Sequence, residues 1–293
     1  MTVSKEIPCL GASAVALGFF DGIHKGHIAV IDAASGEETR VVLSIGANEG
    51  GRRIISDAAR AELLSSMGVD WLVSPPFEQV RNLTGEQFVD EILVEKLHAK
   101  KVSCGFNYHF GAGGVCCADD LRRMCEQRGI ECVVVGQVTA QGETVSSSAI
   151  RSLLAQGDIP KIAEMLDRPY GYRAEVVSGK HLGRTLGAPT LNQLLPEDML
   201  LPRMGVYASE TIIDGARMYS VTNIGVCPTV GGERPLSETW IPGFSGDLYG
   251  RVIEVQLVGF IRPEQKFDTI EQLRERIHLD GELARQMTLH RMK

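Results

Sequence analysis

No stretch of the chain approaches the roughly 18 uninterrupted apolar residues that a membrane-spanning helix needs. The opening MTVSKEIPCLGASAV also lacks the layout of a secretory signal. These two absences predict a cytoplasmic protein with no membrane partner. There are seven cysteines but no C-x-x-C pair, which argues against a zinc site or a disulfide framework and predicts reduced thiols. The chain carries no excess of positive charge. At a net charge of −7 it offers no broad basic face for nucleic acid, so a polyphosphate ligand must be held by a few local groups. There is no long internal repeat and no low-complexity tract. What is present is a chain of 293 residues, 44% apolar and 23% charged, long enough for two modest cores.

Between residue 14 and about residue 157, short apolar runs alternate with helical periodicity. AVALGFF, VVLSI, DWLVS, KKVSCGF and ECVVVG read as strands. TGEQFVDEILVEKLHA reads as a helix, because Thr84 and Gln87 have capping-box spacing and Phe88, Val89, Ile92 and Leu93 share a face. This alternation predicts a parallel α/β sheet, with ligands at the carboxyl ends of its strands. Beyond GDIPKIAEMLDRPYGY the texture changes to alternating strands with tight turns. GVYASETII and ARMYSVTNI flank Asp214-Gly215, a hairpin signal, and in RVIEVQLVGFI Ile253, Val255 and Leu257 alternate with Glu254 and Gln256. Near the C-terminus Asp268 and Glu271 have capping spacing, and Ile270, Leu273 and Ile277 recur helically, which predicts a terminal helix packed on a β barrel or sandwich. The boundaries read as 1–157 for the α/β domain and 168–293 for the β domain.

Two constellations carry chemistry. In LGFFDGIHKGHIAVI, the turn DGIHKGH lies between the first strand and the first helix, where backbone N–H groups and the helix dipole favour an anion. His24 and His27 add ring donors there, and Gly26 allows close backbone approach. For the spacing alone, exposed helix caps are the simpler reading. A second helix start, VSSSAIRSLL, supplies Ser147 and Ser148, then Arg151. In the β half, SGKHLGRTLGAPTLN spaces Gly179, Gly183 and Gly187 evenly. It contains neither a Walker loop nor G-x-G-x-x-G. Lys180 and Arg184 can accompany amides that wrap phosphate, although turn glycines are the plainer alternative. Thr190 and Asn192, two apart on an extended segment, would point to one side and could ligate Mg²⁺, directly or through water, the plainer alternative being an ordinary turn hydroxyl and amide.

The run matched at Gly18, Phe20, Asp21, Gly22, His24, Gly26 and His27, with the later serines and Arg151, resembles the bacterial bifunctional riboflavin kinase/FMN adenylyltransferase family. The stretch matched at Arg184, Leu186, Gly187, Pro189, Thr190 and Asn192 resembles that family's kinase signature, with Leu191 in place of the usual alanine. The resemblance implies a Rossmann-like nucleotidyltransferase domain followed by an antiparallel β-barrel kinase domain with a C-terminal helix. It implies ATP as co-substrate, Mg²⁺ as cofactor, and riboflavin and FMN as substrates. By the same resemblance His24 and His27 contact ATP phosphates, and Ser147, Ser148 and Arg151 hold the phosphate tail. Asn107 in CGFNYHFG contacts nucleotide or flavin. Gly179, Arg184 and Gly187 serve the kinase ligands, Thr190 and Asn192 the metal, and Glu238 in LSETW is the catalytic carboxylate. TNIGVCPTV and IRPEQKF are further family landmarks, so similar features run from about residue 14 to 288.

Two segments depart from the family's pattern. LSIGANEGGRR, residues 43 to 53, replaces a run of phenylalanine, aspartate, proline, histidine and proline that helps shape the flavin side of the adenylyltransferase site. GAGGVCCADDL, residues 111 to 121, lacks the usual basic residues. Cys227 stands where an arginine is frequent. The rivals to a bifunctional enzyme are therefore a riboflavin kinase whose first domain has changed its transfer chemistry, a non-catalytic flavin- or nucleotide-binding regulator, and a cytidylyltransferase suggested by the first motif alone.

Overall fold

Short apolar runs separated by helical segments can bury both faces by joining in a parallel sheet between helices, and the computed structural model contains such a sheet. It describes residues 1–36, 38–46, 51–178, 188–229 and 232–291. In order come β1 (Thr2–Ser4), β2 (Ser13–Gly18), α1 (Lys25–Ala33), β3 (Thr39–Ser44), α2 (Asp57–Ser66) and β4 (Trp71–Val73). A helix α3 follows, with a short α-helical start (Gly85–Gln87) and a π-helical continuation (Phe88–Lys96). Then come β5 (Ala99–Gly105), the short β6 (His109–Phe110) and β7 (Cys116–Cys117), α4 (Ala118–Glu126) and β8 (Glu131–Val135). Six strands form a parallel sheet in the order β1-β4-β3-β2-β5-β8. The five strands read from the sequence are all in it.

The capping box of α3 is present in both directions, Gln87 N–H to Thr84 Oγ1 at 3.2 Å and Thr84 N–H to Gln87 Oε1 at 3.0 Å. Phe88, Val89, Ile92 and Leu93 are buried as the periodicity predicts. The turn is wider than expected, however. Leu97 N–H reaches back to the Ile92 carbonyl at 2.9 Å, an i to i+5 bond.

The hairpin β9 (Thr139–Ala140) and β10 (Glu143–Thr144) precedes α5 (Ser147–Gln156) and α6 (Ile159–Leu166). The chain divides into two compact units inside α5, between Ser147 and Ser148; Ile54–Ser56 also groups with the trailing unit. The sequence reading set the break after this helix. A backbone bond and close packing tie the end of α5 to the trailing unit. Arg203 N–H donates to the Leu154 carbonyl at 2.8 Å, and Gly157, at φ 80°, leaves space that the Phe260 ring fills.

In the trailing unit, β11 (Tyr170–Val177), β12 (Thr190–Leu194), β13 (Gly205–Ile213), β14 (Ala216–Thr229), β15 (Gly232–Trp240) and β16 (Val252–Arg262) close an antiparallel barrel in the order β11-β12-β15-β14-β13-β16. The turn at Asp214-Gly215 has both residues at positive φ, 50° and 82°, the geometry that matches strand twist in a two-residue hairpin. On β16 Ile253, Val255 and Leu257 are buried as expected, but so is Gln256. Its amide oxygen accepts from Arg217 Nη1 at 2.8 Å, which satisfies it on the face that the sequence assigned to solvent.

The barrel interior is partly polar. Ser209, Thr211, Ser220, Thr222 and Thr239 are fully buried and linked in series by hydroxyl contacts of 2.8 to 2.9 Å. Gln193 spans the interior, donating to the carbonyls of Ala174 at 2.6 Å and Ile253 at 2.8 Å. Val206, Ala208, Val221 and Val258 face the other way and pack with Ala284 of the terminal helix α7 (Ile270–Arg291). The cap of α7 lies one residue from the predicted one. Thr269 Oγ1, not Asp268, accepts the Gln272 N–H at 3.2 Å, and Ile270 is exposed. The overlapping D-x-x-E and T-x-x-Q frames fit equally well as caps. The second one turns Leu273 and Ile277 inward.

Thr222→Val keeps the shape but removes the one hydroxyl that bonds both Ser209 and Thr239. Loss of about 1–3 kcal/mol is expected, because two buried hydroxyls lose a partner. Urea unfolding at unchanged m-value measures it.

Candidate active sites

Leaving β2, the backbone must turn sharply into α1, and it does so through Phe20, Gly22 and Ile23, at φ 53°, 86° and 46°. Phe20 is fully buried. Its ring lies 5.2 Å from that of His27, and a Cβ on Gly18 would be 3.1 Å from it. Phe20, which the family resemblance counts with the nucleotide-binding residues, therefore packs beneath the turn and supports it. His24 is the N-cap of α1, its Nδ1 accepting the His27 N–H at 3.2 Å. In the neutral ring this places the proton on Nε2, the one donor of that ring. The two imidazoles stack at 3.6 Å and 14°. His24 is only 6% exposed, so the pair is built into the turn and is not a solvent-facing cap. A Cβ on Gly26 would lie 3.2 Å from His24 Cε1, so glycine is what lets the ring sit there.

Ser147 joins this loop by donating to the Asp21 carbonyl at 2.9 Å. Ser148, exposed, and Arg151, half-buried, lie further along α5. Asn107 stands exposed just past β5, its Oδ1 3.3 Å from where a Gly105 Cβ would be. Leu17 pairs with Cys104, so Gly18 and Gly105 end neighbouring strands. The sheet order runs outward in both directions from β2 and β5. The histidine turn and Asn107 therefore flank the topological switch point, where open α/β sheets bind ligands. Burial pushes the nearby Cys104 thiol up to about 12, so it is no nucleophile. Cys9, Cys104, Cys116, Cys117, Cys125 and Cys132 are free thiols.

Where the sequence departs from the family pattern, the structure holds a cleft of about 370 Å³ at the ends of β1, β3 and β4. Residues 47–50 lie outside the described residues. Arg60, 3% exposed, donates to Ser44 Oγ at 3.2 Å and Ser74 Oγ at 3.3 Å, while Arg53 lies 5.1 Å over the Phe19 ring and pairs with Asp57 at 2.8 Å. Burial, then the Arg53 charge, pull the Arg60 pKa down. The sequence reading missed both arginines as site residues, because their partners come from four separate elements. At the other departure, Cys116–Cys117 pairs with His109–Phe110, and Asp120 caps the Cys117 N–H at 3.0 Å.

In the barrel, Asn192 lies directly opposite Glu238, and Glu238 directly opposite Asn223. Thr190 and Val221 flank Trp240 in the same way. Directly opposed residues project to one face with Cβ atoms about 4.5–5.5 Å apart. The outer face thus carries a row of amide, carboxylate and amide beside a row of hydroxyl, indole and valine. Thr190, Asn223, Glu238 and Trp240 line a cleft of about 250 Å³ shared with Phe267 and with Leu273 and Ile277 of α7. Thr190 also lines a second cleft of about 540 Å³ with Pro189, Phe244, Asp247 and Tyr249. Gly179, Arg184 and Gly187 lie outside the described residues. The sequence reading missed Asn223, Trp240 and Phe267. TNIG and the segment after IRPE stood out as landmarks without roles.

The chain thus joins an α/β unit with a helix mouth at its switch point to a β barrel in which Glu238 lines one cleft and Thr190 is shared with a second. A riboflavin kinase family model matches residues 166–288, and a FAD synthetase model matches residues 7–149. The chain is 32% identical to a bifunctional riboflavin kinase/FMN adenylyltransferase of Listeria monocytogenes and 33% identical to one of Pseudomonas fluorescens, each over 92% of this chain and 91% of the relative. The chain belongs to the bifunctional riboflavin kinase/FMN adenylyltransferase family. A crystal structure from Streptococcus pneumoniae, described as a macrolide-efflux protein, shares the architecture at a TM-score of 0.83 and 28% identity, over 94% of this chain and 95% of that one. Among the described residues no helix is long and apolar enough to cross a membrane.

Gly26→Ala is expected to displace the His24 ring even though alanine is the better helix former by about 1 kcal/mol. Calorimetric titration with a non-hydrolysable ATP analogue should show roughly tenfold weaker binding at the α/β unit, with a melting temperature that does not fall.

Proposed function

We propose that the barrel phosphorylates riboflavin to FMN and that the α/β unit adenylylates FMN to FAD, in the cytosol. The observation that supports the kinase half is Glu238, paired across the sheet with Asn192 and Asn223 and lining one cleft with Asn223, beside a threonine shared with the next cleft. The flavin ring lies in the smaller cleft against Trp240, Phe267, Leu273 and Ile277, and ATP enters the larger one. Glu238 takes the proton from the primary hydroxyl while that oxygen bonds to the γ-phosphorus and the bond to ADP breaks. Thr190 and Asn192 offer the uncharged oxygen ligands that suit Mg²⁺, which keeps several waters and binds substrate phosphates instead of demanding a protein cage. When bound, Mg²⁺ neutralises charge on the phosphates.

In the α/β unit an oxygen of the FMN phosphate attacks the α-phosphorus of ATP and pyrophosphate leaves. His24, His27 and the mouth of α1 meet the charge on the departing phosphates, and Ser147 holds the turn that carries them. Asn107 stands at the neighbouring strand end for the nucleotide or flavin.

Purified protein given riboflavin, ATP and Mg²⁺ should yield FMN and then FAD on chromatography, and EDTA should stop both steps. Glu238→Gln should cut FMN formation by about 100-fold or more while still converting supplied FMN to FAD. His27→Ala should do the reverse, with a loss of about 100-fold in FAD formation. FMN accumulating without FAD in the parent enzyme would instead support a monofunctional kinase.

A further inference from the structure

The amide opposite Glu238 on β14 is not needed to move a proton, yet it is held in place. We propose that Asn223, oriented by Glu264, reads the hydroxyls of the chain that bears the acceptor's primary alcohol, so that the barrel selects a polyol-bearing flavin over one with a plain alkyl chain. This rests on the barrel being the riboflavin-phosphorylating site. Asn223 Nδ2 donates to Glu264 Oε1 at 3.1 Å. A carboxylate only accepts, so this bond settles which way the amide points and leaves Oδ1 as the acceptor. That oxygen is buried and has no hydrogen-bond partner in the protein. Buried carbonyl oxygens in native proteins almost always have a donor, and here a ligand in the cleft supplies it.

The position identifies the ligand group. Asn223 and Glu238 are direct cross-strand partners lining one cleft, about 5 Å apart at Cβ. That matches the spacing of oxygens one or two carbons apart on an extended polyol. A primary hydroxyl at Glu238 therefore places its inner neighbours at Asn223. The surroundings favour this arrangement. A Cβ on Gly225 would lie 2.7 Å from Glu264 Oε1, so glycine there makes room for the carboxylate. Glu264 follows Arg262, which is fixed to Asp280 by bonds of 2.7 to 3.2 Å. Asn223 would touch the substrate, and Glu264 is a positioning residue.

The test compares riboflavin with a flavin carrying a hydroxypentyl chain, which keeps the ring, the chain length and the primary hydroxyl. kcat/KM is measured for both, and Kd by quenching of flavin fluorescence. The parent enzyme should favour riboflavin by about 100-fold or more. Asn223→Ala should reduce that ratio by about tenfold or more through riboflavin alone, leaving the alkyl analogue within about twofold. Glu264→Ala should act in the same direction. Glu264→Gln, which still accepts from Nδ2, should retain the ratio. Equal weakening of both flavins, absence of discrimination in the parent, or Glu264→Gln falling as far as Glu264→Ala would each overturn the proposal. If Asn223→Ala fails to fold by circular dichroism, the two Glu264 variants decide. A parent enzyme that phosphorylates neither flavin counts against the kinase reading, and the two Kd values then still decide this one.

Discussion

The alternation of side chains along the barrel strands is the constraint on which the trailing unit depends. Thr222 and Thr239 turn inward and bond to each other, so Asn223 and Glu238, one residue on or back, must turn outward. A slip of one residue would exchange the two sets, burying the Glu238 carboxylate in the hydroxyl core and exposing the threonines. An ionised carboxylate moved into that interior without a cation costs several kcal/mol. The hydroxyl series, in which partners meet only in the native register, therefore favours the same register that assembles the candidate kinase site. A wholly aliphatic interior would tolerate neighbouring registers more evenly.

The leading unit has a different constraint, a turn in a disfavoured backbone region. Phe20 and Ile23 both have positive φ, and for such residues the cost is of order 1–3 kcal/mol each. Both side chains are essentially fully buried, 0% and 1% exposed. Burying a large apolar side chain returns about 1.5–3 kcal/mol. The terms are comparable, so the turn can persist only while those two side chains stay in the core. This is why Phe20 belongs below the turn, and why the His24 and His27 rings above it are held stacked, with little freedom to wander.

Elements governed by local rules were legible in the sequence. The five strands, the Thr84 capping box and the Asp214-Gly215 hairpin each depend on spacing within a few residues, and each occurs in the structure. The wider turn of α3 was not legible, because apolar residues four apart suit either an α or a π turn. The cap of α7 was ambiguous for a similar reason, and only the packing of Leu273 and Ile277 distinguishes the two frames. Histidine, threonine and asparagine in the motifs stood out by type and spacing. Asn223, Glu264, Arg53 and Arg60 did not, because their meaning comes from partners on other elements. Gln256 misled for the opposite reason, since a polar residue in an outward frame is buried once Arg217 satisfies it.

One buried carboxylate organises the lip of the smaller cleft. Asp280, its side chain 2% exposed, receives Arg262 at 2.7 Å and Arg276 at 3.0 Å. Gly281 beside it lets α7 approach Trp240, where a Cβ would meet the ring at 2.8 Å. A buried ion pair gives little net stability against a well-packed apolar alternative, but removing one partner costs about 3–5 kcal/mol. Its value here is directional, because Arg262 and Asp280 tie the end of β16 to one turn of α7. That fixes the loop carrying Glu264 and Phe267 over the row of Asn192, Glu238 and Asn223. An apolar contact would hold the helix as tightly but would let it slide, and a sliding helix would change the distance between the α7 side of the cleft, Leu273 and Ile277, and Glu238 on the barrel. Phosphoryl transfer gains most from positioning, so a directional tie suits this site better than a stronger but less specific one.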